Sequence, residues 1–217
     1  MGNKNTAALW LLYVVVLSGF SIWFFLTGGL NEPTSQLISF FKETRVNRQS
    51  ISLANLNVLI GFVFINYCVS FAAIIFASII KKRGPKMQPI DASLKLPFWL
   101  MNFILLGVVT MEEVIFRWLP LGFLLPIFDT RSALWILIIV SSLAFGLVHI
   151  GNQKLYRKSI IFTLPQMLGG IILCYVFLAF GFLGALLVHF IFNAILFIPL
   201  WLAYRVDGNN QSNNQLL

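Results

Sequence analysis

Met111-Glu112-Glu113-Val114-Ile115-Phe116-Arg117 places three ionisable side chains where a membrane-spanning helix should have none. The sixteen residues from Leu96 to Met111 carry no charge, and neither do the eleven from Trp118 to Phe128. Each charge near the middle of a bilayer costs roughly 2.5–3.5 kcal/mol on insertion scales. Three of them cancel most of what the surrounding Leu, Ile, Val and Phe contribute. Such residues are kept where they pair, face a protein or water cavity, or do chemistry. Glu113 and Arg117 are four apart, so they share a helix face and can pair, with Glu on the favourable N-terminal side. Glu112 lies about 100° round the helix and has no cation close in sequence. A charge cluster that only holds helices together accounts for the ion pair. The second carboxylate points to function, as a candidate general base.

Composition extends the membrane reading to the whole chain. Of 217 residues, 59% are hydrophobic and 10% charged, with mean hydropathy +0.89. An average soluble domain carries about 25% charged residues. The length leaves room for one membrane domain and no large soluble one. The net charge of +8 belongs to the loops and reads as an orientation signal, not as a nucleic-acid surface. Cys68 and Cys174 lie singly in apolar runs, so no disulfide is expected, and a site built on paired cysteines is excluded.

Hydropathy predicts six helices and an all-α polytopic membrane fold. The first, Ala7 to Leu26, is long enough to span and lacks a small-residue cleavage pattern, so it reads as retained. Residues 31–52 suggest a short interfacial amphipathic helix. The second span is Leu53 to Ile80, stopped by Lys81-Lys82-Arg83-Gly84-Pro85. The third begins near Leu96, with Pro120 and Pro126 expected to kink or end it after Arg117. The fourth is Ser132 to about Ile150, and the fifth Ile160 to Phe180, with Gly169-Gly170 offering close packing. Gly181 and Gly184 bracket a tight turn into the sixth, Phe182 to Tyr204. The organisation expected is an N-terminal helix pair over 1–95, a four-helix catalytic core over 96–206 and a polar Asn/Gln-rich tail over 207–217. With both termini in the cytoplasm, ten basic residues fall inside and four outside, as the positive-inside rule requires.

Both histidines of the chain sit in apolar helices. His149 lies four residues after Phe145; His189 lies four before Asn193, so imidazole and amide share a face. One histidine in a span is an ordinary packing residue. Two of them, with Glu112, Glu113, Arg117 and Asn193, make up nearly all the strongly polar groups in the last four spans and can converge on one site. Two chemistries fit. Glu112, His149 and His189 could hold Zn²⁺ with a position open for water. Alternatively, Glu and one His activate water while the other His and Asn donate to an oxyanion. Both describe hydrolysis of an acyl bond, most simply a peptide.

Glu112-Glu113-x-x-x-Arg117, Phe145-x-x-x-His149 and His189-x-x-x-Asn193 together resemble the three motifs of the CPBP intramembrane proteases. That group covers CAAX prenyl endopeptidases and bacteriocin-processing or bacteriocin-immunity (Abi) proteins. The resemblance covers residues 98–204. It implies a glutamate-dependent endopeptidase with Glu112 as base on water, assisted by His149. His189 and Asn193 would polarise the scissile carbonyl, and Glu113 with Arg117 would be a supporting ion pair. The family is often described as metal-dependent, which would make Zn the cofactor. The partners implied are a peptide or membrane-protein substrate and the lipid bilayer, with a sensor or a bacteriocin as further candidates. Two rivals use the same residues differently: a non-catalytic immunity or sensor-regulating protein that keeps the fold, and a small transporter with a proton relay. The absence of an internal repeat disfavours the transporter. One feature resists: in a simple six-helix layout Glu112 and His189 lie roughly 20 Å from the inner face at 1.5 Å per residue, yet His149 comes out beside it.

Overall fold

The computed structural model describes residues 24–44, 46, 48–52, 55–82, 94–128, 130–153 and 158–214, the side chains of 199, 203 and 205–214 excepted. Most of the first expected span, Ala7 to Leu26, lies outside them. The described chain is helical throughout its long elements. Helix α1 is Asn31–Glu43 and α2 is Leu56–Lys81. Helix α3 is Phe98–Glu113, continued by a π-helical segment, Val114–Leu124, and by α4, Leu125–Phe128. Helix α5 is Arg131–Val148, followed by 3₁₀ turns at His149–Asn152 and Ile160–Thr163. Helix α6 is Leu164–Asn214. Four stretches are long and apolar enough to cross a membrane: Leu56–Lys81, Phe98–Phe128, Arg131–Asn152 and Ile160–Leu202. The all-α polytopic membrane fold read from the sequence is the fold observed.

The last stretch, 43 residues, is about twice what one crossing needs. It doubles back at Gly181, whose φ of 73° and ψ of −172° only glycine adopts without strain. Contacts with α2 show the reversal. Phe62 packs on Phe180 and Tyr175, and a Cβ on Gly169 would fall 2.6 Å from Asn66 Oδ1, so α2 runs antiparallel to the first limb of α6. Leu59 lies nearest Gly184 and Tyr67 nearest Phe192, so α2 runs parallel to the second limb. The expected fifth and sixth spans are these two limbs. The second limb runs on as helix to Asn214, into the stretch read as a polar tail. Once a helix is nucleated, each further residue costs little.

The core is aromatic at the Gly181 end. Phe40 of α1 is fully buried, with its ring centroid 5.1 Å from those of both Trp135 and Tyr175. Helix α1 therefore does more than lie at an interface: it plugs the bundle. Close approach between α5 and α6 rests on small residues. A Cβ on Gly170 would meet Ser142 Cα at 3.1 Å, the small-residue packing that membrane helices use. Both Cys68 and Cys174 are free thiols.

Of the two outcomes expected at the prolines of the third span, a kink or an end, the end is not observed. The helix does not end after Arg117 but runs to Phe128. Pro120 has no N–H to offer the Phe116 carbonyl four residues back. The backbone widens into π register, with Leu125 N–H bonded to Pro120 O five residues earlier, and the Ser141 hydroxyl of α5 donates to the Phe116 carbonyl. A neighbouring serine thus serves the carbonyl that proline strands, a standard way to tolerate Pro in a membrane helix.

The depth problem resolves because the helices do not end together. Glu112 faces His149, and Ser141 faces Phe116, so α3 and α5 are antiparallel. At the level of His149, α5 is finishing and α6 has yet to begin. Helix α3 extends fourteen residues further, back to Phe98, about 21 Å. The second limb of α6 accompanies it, with Trp201 Nε1 donating to Leu96 O at 3.0 Å and its ring on Phe98. The polar residues sit where two of the four core helices stop and two continue.

Replacing Ser141 by Ala should lower stability by about 0.6–2 kcal/mol, the range for interhelical hydrogen bonds in membrane proteins. In a Pro120→Ala background the backbone at 120 regains its donor, and the same change should cost nothing measurable. Unfolding midpoints in detergent for the four variants check this; an equal loss in both backgrounds would separate Ser141 from Pro120.

Candidate active site

Five of the six residues singled out by sequence meet in one cluster, and the sixth lies one turn away. Glu113 closes α3 and Arg117 follows one turn later in the π segment; both side chains are fully buried. Arg117 Nη1 lies 3.2 Å from Glu113 Oε1. The approach is close but not aligned as a hydrogen bond, and Arg117 Nε, Nη1 and Nη2 have no hydrogen-bond partner among the described residues. The guanidinium instead lies over Phe145, its carbon 4.2 Å from the ring centroid, a cation–π contact in a dry setting.

Glu113 Oε1 has a second partner. His189 Nδ1 lies 2.7 Å from it, the length of a charge-assisted bond. Paired with Arg117, the Glu113 carboxylate accepts this bond, and Nδ1–H donates. The supporting ion pair is thus sealed from solvent and acts on His189. The ring of a neutral His189 then presents Nε2 as a lone pair, and for Nε2 to donate the ring must be an imidazolium.

His149 is held in the same way by a different acceptor. Its Nδ1 donates to the Phe145 carbonyl at 2.8 Å, which leaves Nε2 as the free position. Phe145 is the hub of the arrangement. Its ring meets His149 edge-on at 4.6 Å and His189 at 5.6 Å, and it carries Arg117 on its face. No role was assigned to Phe145 from sequence. The signal was present in the i, i+4 spacing to His149, which lets the carbonyl of one residue meet the ring of the other.

Glu112 lies between the two imidazoles and is the most open of the charged groups, with 21% of its side chain exposed. Its Oε1 is 3.7 Å from His149 Nε2 and its Oε2 is 3.5 Å from His189 Nε2. Both separations exceed hydrogen-bond length. With neutral rings three acceptors face one another, an arrangement that calls for a proton or a water between them. Zn²⁺ would take the same donor atoms. Their spacing does not match it: the imidazoles address different oxygens of Glu112, and among the described residues no group of three His, Cys, Asp or Glu side chains is placed to hold a metal ion.

Asn193 is half-buried, one helical turn beyond His189, and its side chain has no hydrogen bond to the described residues. The backbone beside it is held, since the Tyr67 hydroxyl donates to Phe192 O at 2.6 Å.

Residues 93–195 match the family model described as type II CAAX prenyl endopeptidase Rce1-like. No curated protein and no solved structure matches the chain. The matched segment contains α3, the π segment, α5 and the two limbs of α6 as far as Asn193, with every residue of the cluster, and agrees with the resemblance carried by the three motifs. Over that core, a little under half of the chain, the protein is similar to the Rce1-like family of type II CAAX prenyl endopeptidases.

Proposed function

We propose that the protein is an intramembrane endopeptidase that hydrolyses a peptide bond with water activated by Glu112 and His149. The observation that carries this reading is the placing of Glu112 between two Nε2 atoms, at 3.7 and 3.5 Å, in a cluster whose other charges are sealed away. A water in that gap can donate one proton to Glu112 and the other to His149 Nε2. Glu112 takes a proton as the water oxygen bonds to the scissile carbonyl carbon. The oxyanion that forms is met by His189 as an imidazolium, donating from Nε2, and by the free carboxamide of Asn193. Glu113 holds that imidazolium from the other side. Collapse breaks the C–N bond, and the proton on Glu112 goes to the leaving amine.

The substrate proposed is a segment of a membrane protein or a membrane-bound peptide, since the site lies among apolar helices. Processing of a bacteriocin precursor, or self-immunity, is the biological role proposed. Both termini are proposed to lie in the cytoplasm, a reading that the ten-to-four distribution of basic residues supports. The metal-dependent alternative rests on the donor set of Glu112, His149 and His189. A bound Zn²⁺ would act there as a Lewis acid on water, and it requires the three side chains to regroup.

Glu112→Gln and His149→Ala should each reduce kcat by 10²-fold or more, the usual scale for general base catalysis, while the protein stays inserted. Turnover of a cleavable peptide by purified variants checks this. Wild-type rates in either variant would remove that residue from the catalytic role.

Arg117→Ala should destabilise the protein by about 3–5 kcal/mol, because it strands the fully buried Glu113. Removing both partners, Glu113→Ala with Arg117→Ala, should cost less than Arg117→Ala alone. Unfolding midpoints in detergent for the cycle decide it, and simple additivity would dissolve the pair. Treatment with 1,10-phenanthroline should leave kcat within about twofold if Glu112 and His149 act on water directly. A loss restored by added Zn²⁺ would move the three donors to the metal.

A further inference from the structure

Tyr67 lies on α2, outside the family-matched segment of 93–195, and carries none of the motifs. Its hydroxyl nevertheless reaches the backbone of the proposed site. Tyr67 Oη donates to Phe192 O at 2.6 Å, and the Tyr67 and Phe192 rings lie 4.5 Å apart. The Phe192 carbonyl and the Asn193 N–H belong to one peptide unit. Within α6 that N–H is directed at the His189 carbonyl one turn back. A single rigid plane therefore links Tyr67 to Asn193 and to His189.

Helix α2 is itself fixed at this height. The neighbouring Asn66 is buried and packs against the close approach of Gly169 on the first limb of α6. Asn66 and Tyr67 thus touch both limbs of the α6 hairpin, one each, at the level of Asn193. The Asn193 carboxamide has no side-chain partner to hold it among the described residues, so its position follows from the backbone that carries it. The Tyr67 bond is the hydrogen bond from another helix that holds that backbone.

We propose that Tyr67 is a positioning residue for the oxyanion pair, setting the rotation and depth of the second limb of α6 so that Asn193 and His189 aim at one point. The proposal rests on the oxyanion role given to Asn193 above. It makes α2 a working part of the enzyme in addition to the family-matched segment. The effect belongs to the transition state, because neither the hydroxyl nor the Phe192 carbonyl needs to touch substrate.

Tyr67→Phe keeps the ring on Phe192 and removes one hydroxyl. In the full-length protein it should lower kcat about tenfold with KM within twofold, the consequence of a small misplacement of a catalytic donor. In an Asn193→Ala background the same change should lower kcat by a clearly smaller factor, because one of the two donors it aims is gone. The same factor in both backgrounds would make Tyr67 a packing residue and overturn the proposal. A readout independent of turnover is the infrared band of a ¹³C=¹⁸O-labelled Phe192 carbonyl, which should move to higher frequency in Tyr67→Phe; an unmoved band overturns it as well. Failure of the underlying reading looks different: Asn193→Ala would then keep wild-type kcat while the carbonyl band still responds to Tyr67.

Discussion

One oxygen atom, Glu113 Oε1, is shared by Arg117 at 3.2 Å and His189 at 2.7 Å. The rest of the site depends on that sharing. An unpaired carboxylate buried this completely would be too costly to keep charged, so Glu113 needs the cation. An arginine buried this completely needs more than one carboxylate oxygen, and Phe145 supplies a ring face beneath it. Placing Phe145 there brings its carbonyl to His149 and its edge to His189. The ion pair is weak evidence for stability, since a well-packed apolar pair could replace it at little loss. What it achieves is orientation: it holds one imidazole and, through Phe145, the other.

The cleft follows from unequal helix lengths and from one proline. Were α3 to end after Arg117, the packing of Gly122 near Phe177 would be lost. The π segment keeps the helix going past Pro120 and leaves a carbonyl for Ser141 to serve. π-Helical stretches recur at functional sites because the widened register turns side chains that an α-helix would aim elsewhere. Arg117 lies inside this one. On the other side of the cluster, α5 stops at Val148 and the chain passes through short 3₁₀ turns before α6. The walls that continue past the cluster are α3 and the second limb of α6.

The sequence made the helices legible because their signal is long and one-dimensional. An apolar run of twenty residues reads as a span whatever its neighbours are. The site residues were legible for a similar reason: Glu113 with Arg117, Phe145 with His149 and His189 with Asn193 are each spaced by one helical turn. Contacts between helices carry no such spacing. Nothing near Pro120 announces Ser141, and nothing near His189 announces that Glu113, not the unpaired Glu112, binds its Nδ1. The tautomer of His189 follows only from that contact. The relative depth of His149 was left open by the sequence, because helix lengths are set by where partners end.

The charge of the cluster connects this geometry to the proposed chemistry. Glu112, Glu113 and Arg117 together carry one net negative charge, and an imidazolium at His189 brings the total to zero. Hydrolysis does not change that total. When Glu112 takes a proton from water, its negative charge disappears and an equal charge appears on the carbonyl oxygen. His189 Nε2 stands 3.5 Å from Glu112 Oε2, so its proton faces the carboxylate at rest and the oxyanion after attack. The charge moves a few ångströms past a fixed donor instead of being created in an apolar surround. A site that is neutral before and after the step needs little reorganisation, which is where preorganised polar sites gain most of their effect. The cation that balances the cluster is buried on the far side of Glu113, in contact with that carboxylate and with the Phe145 ring.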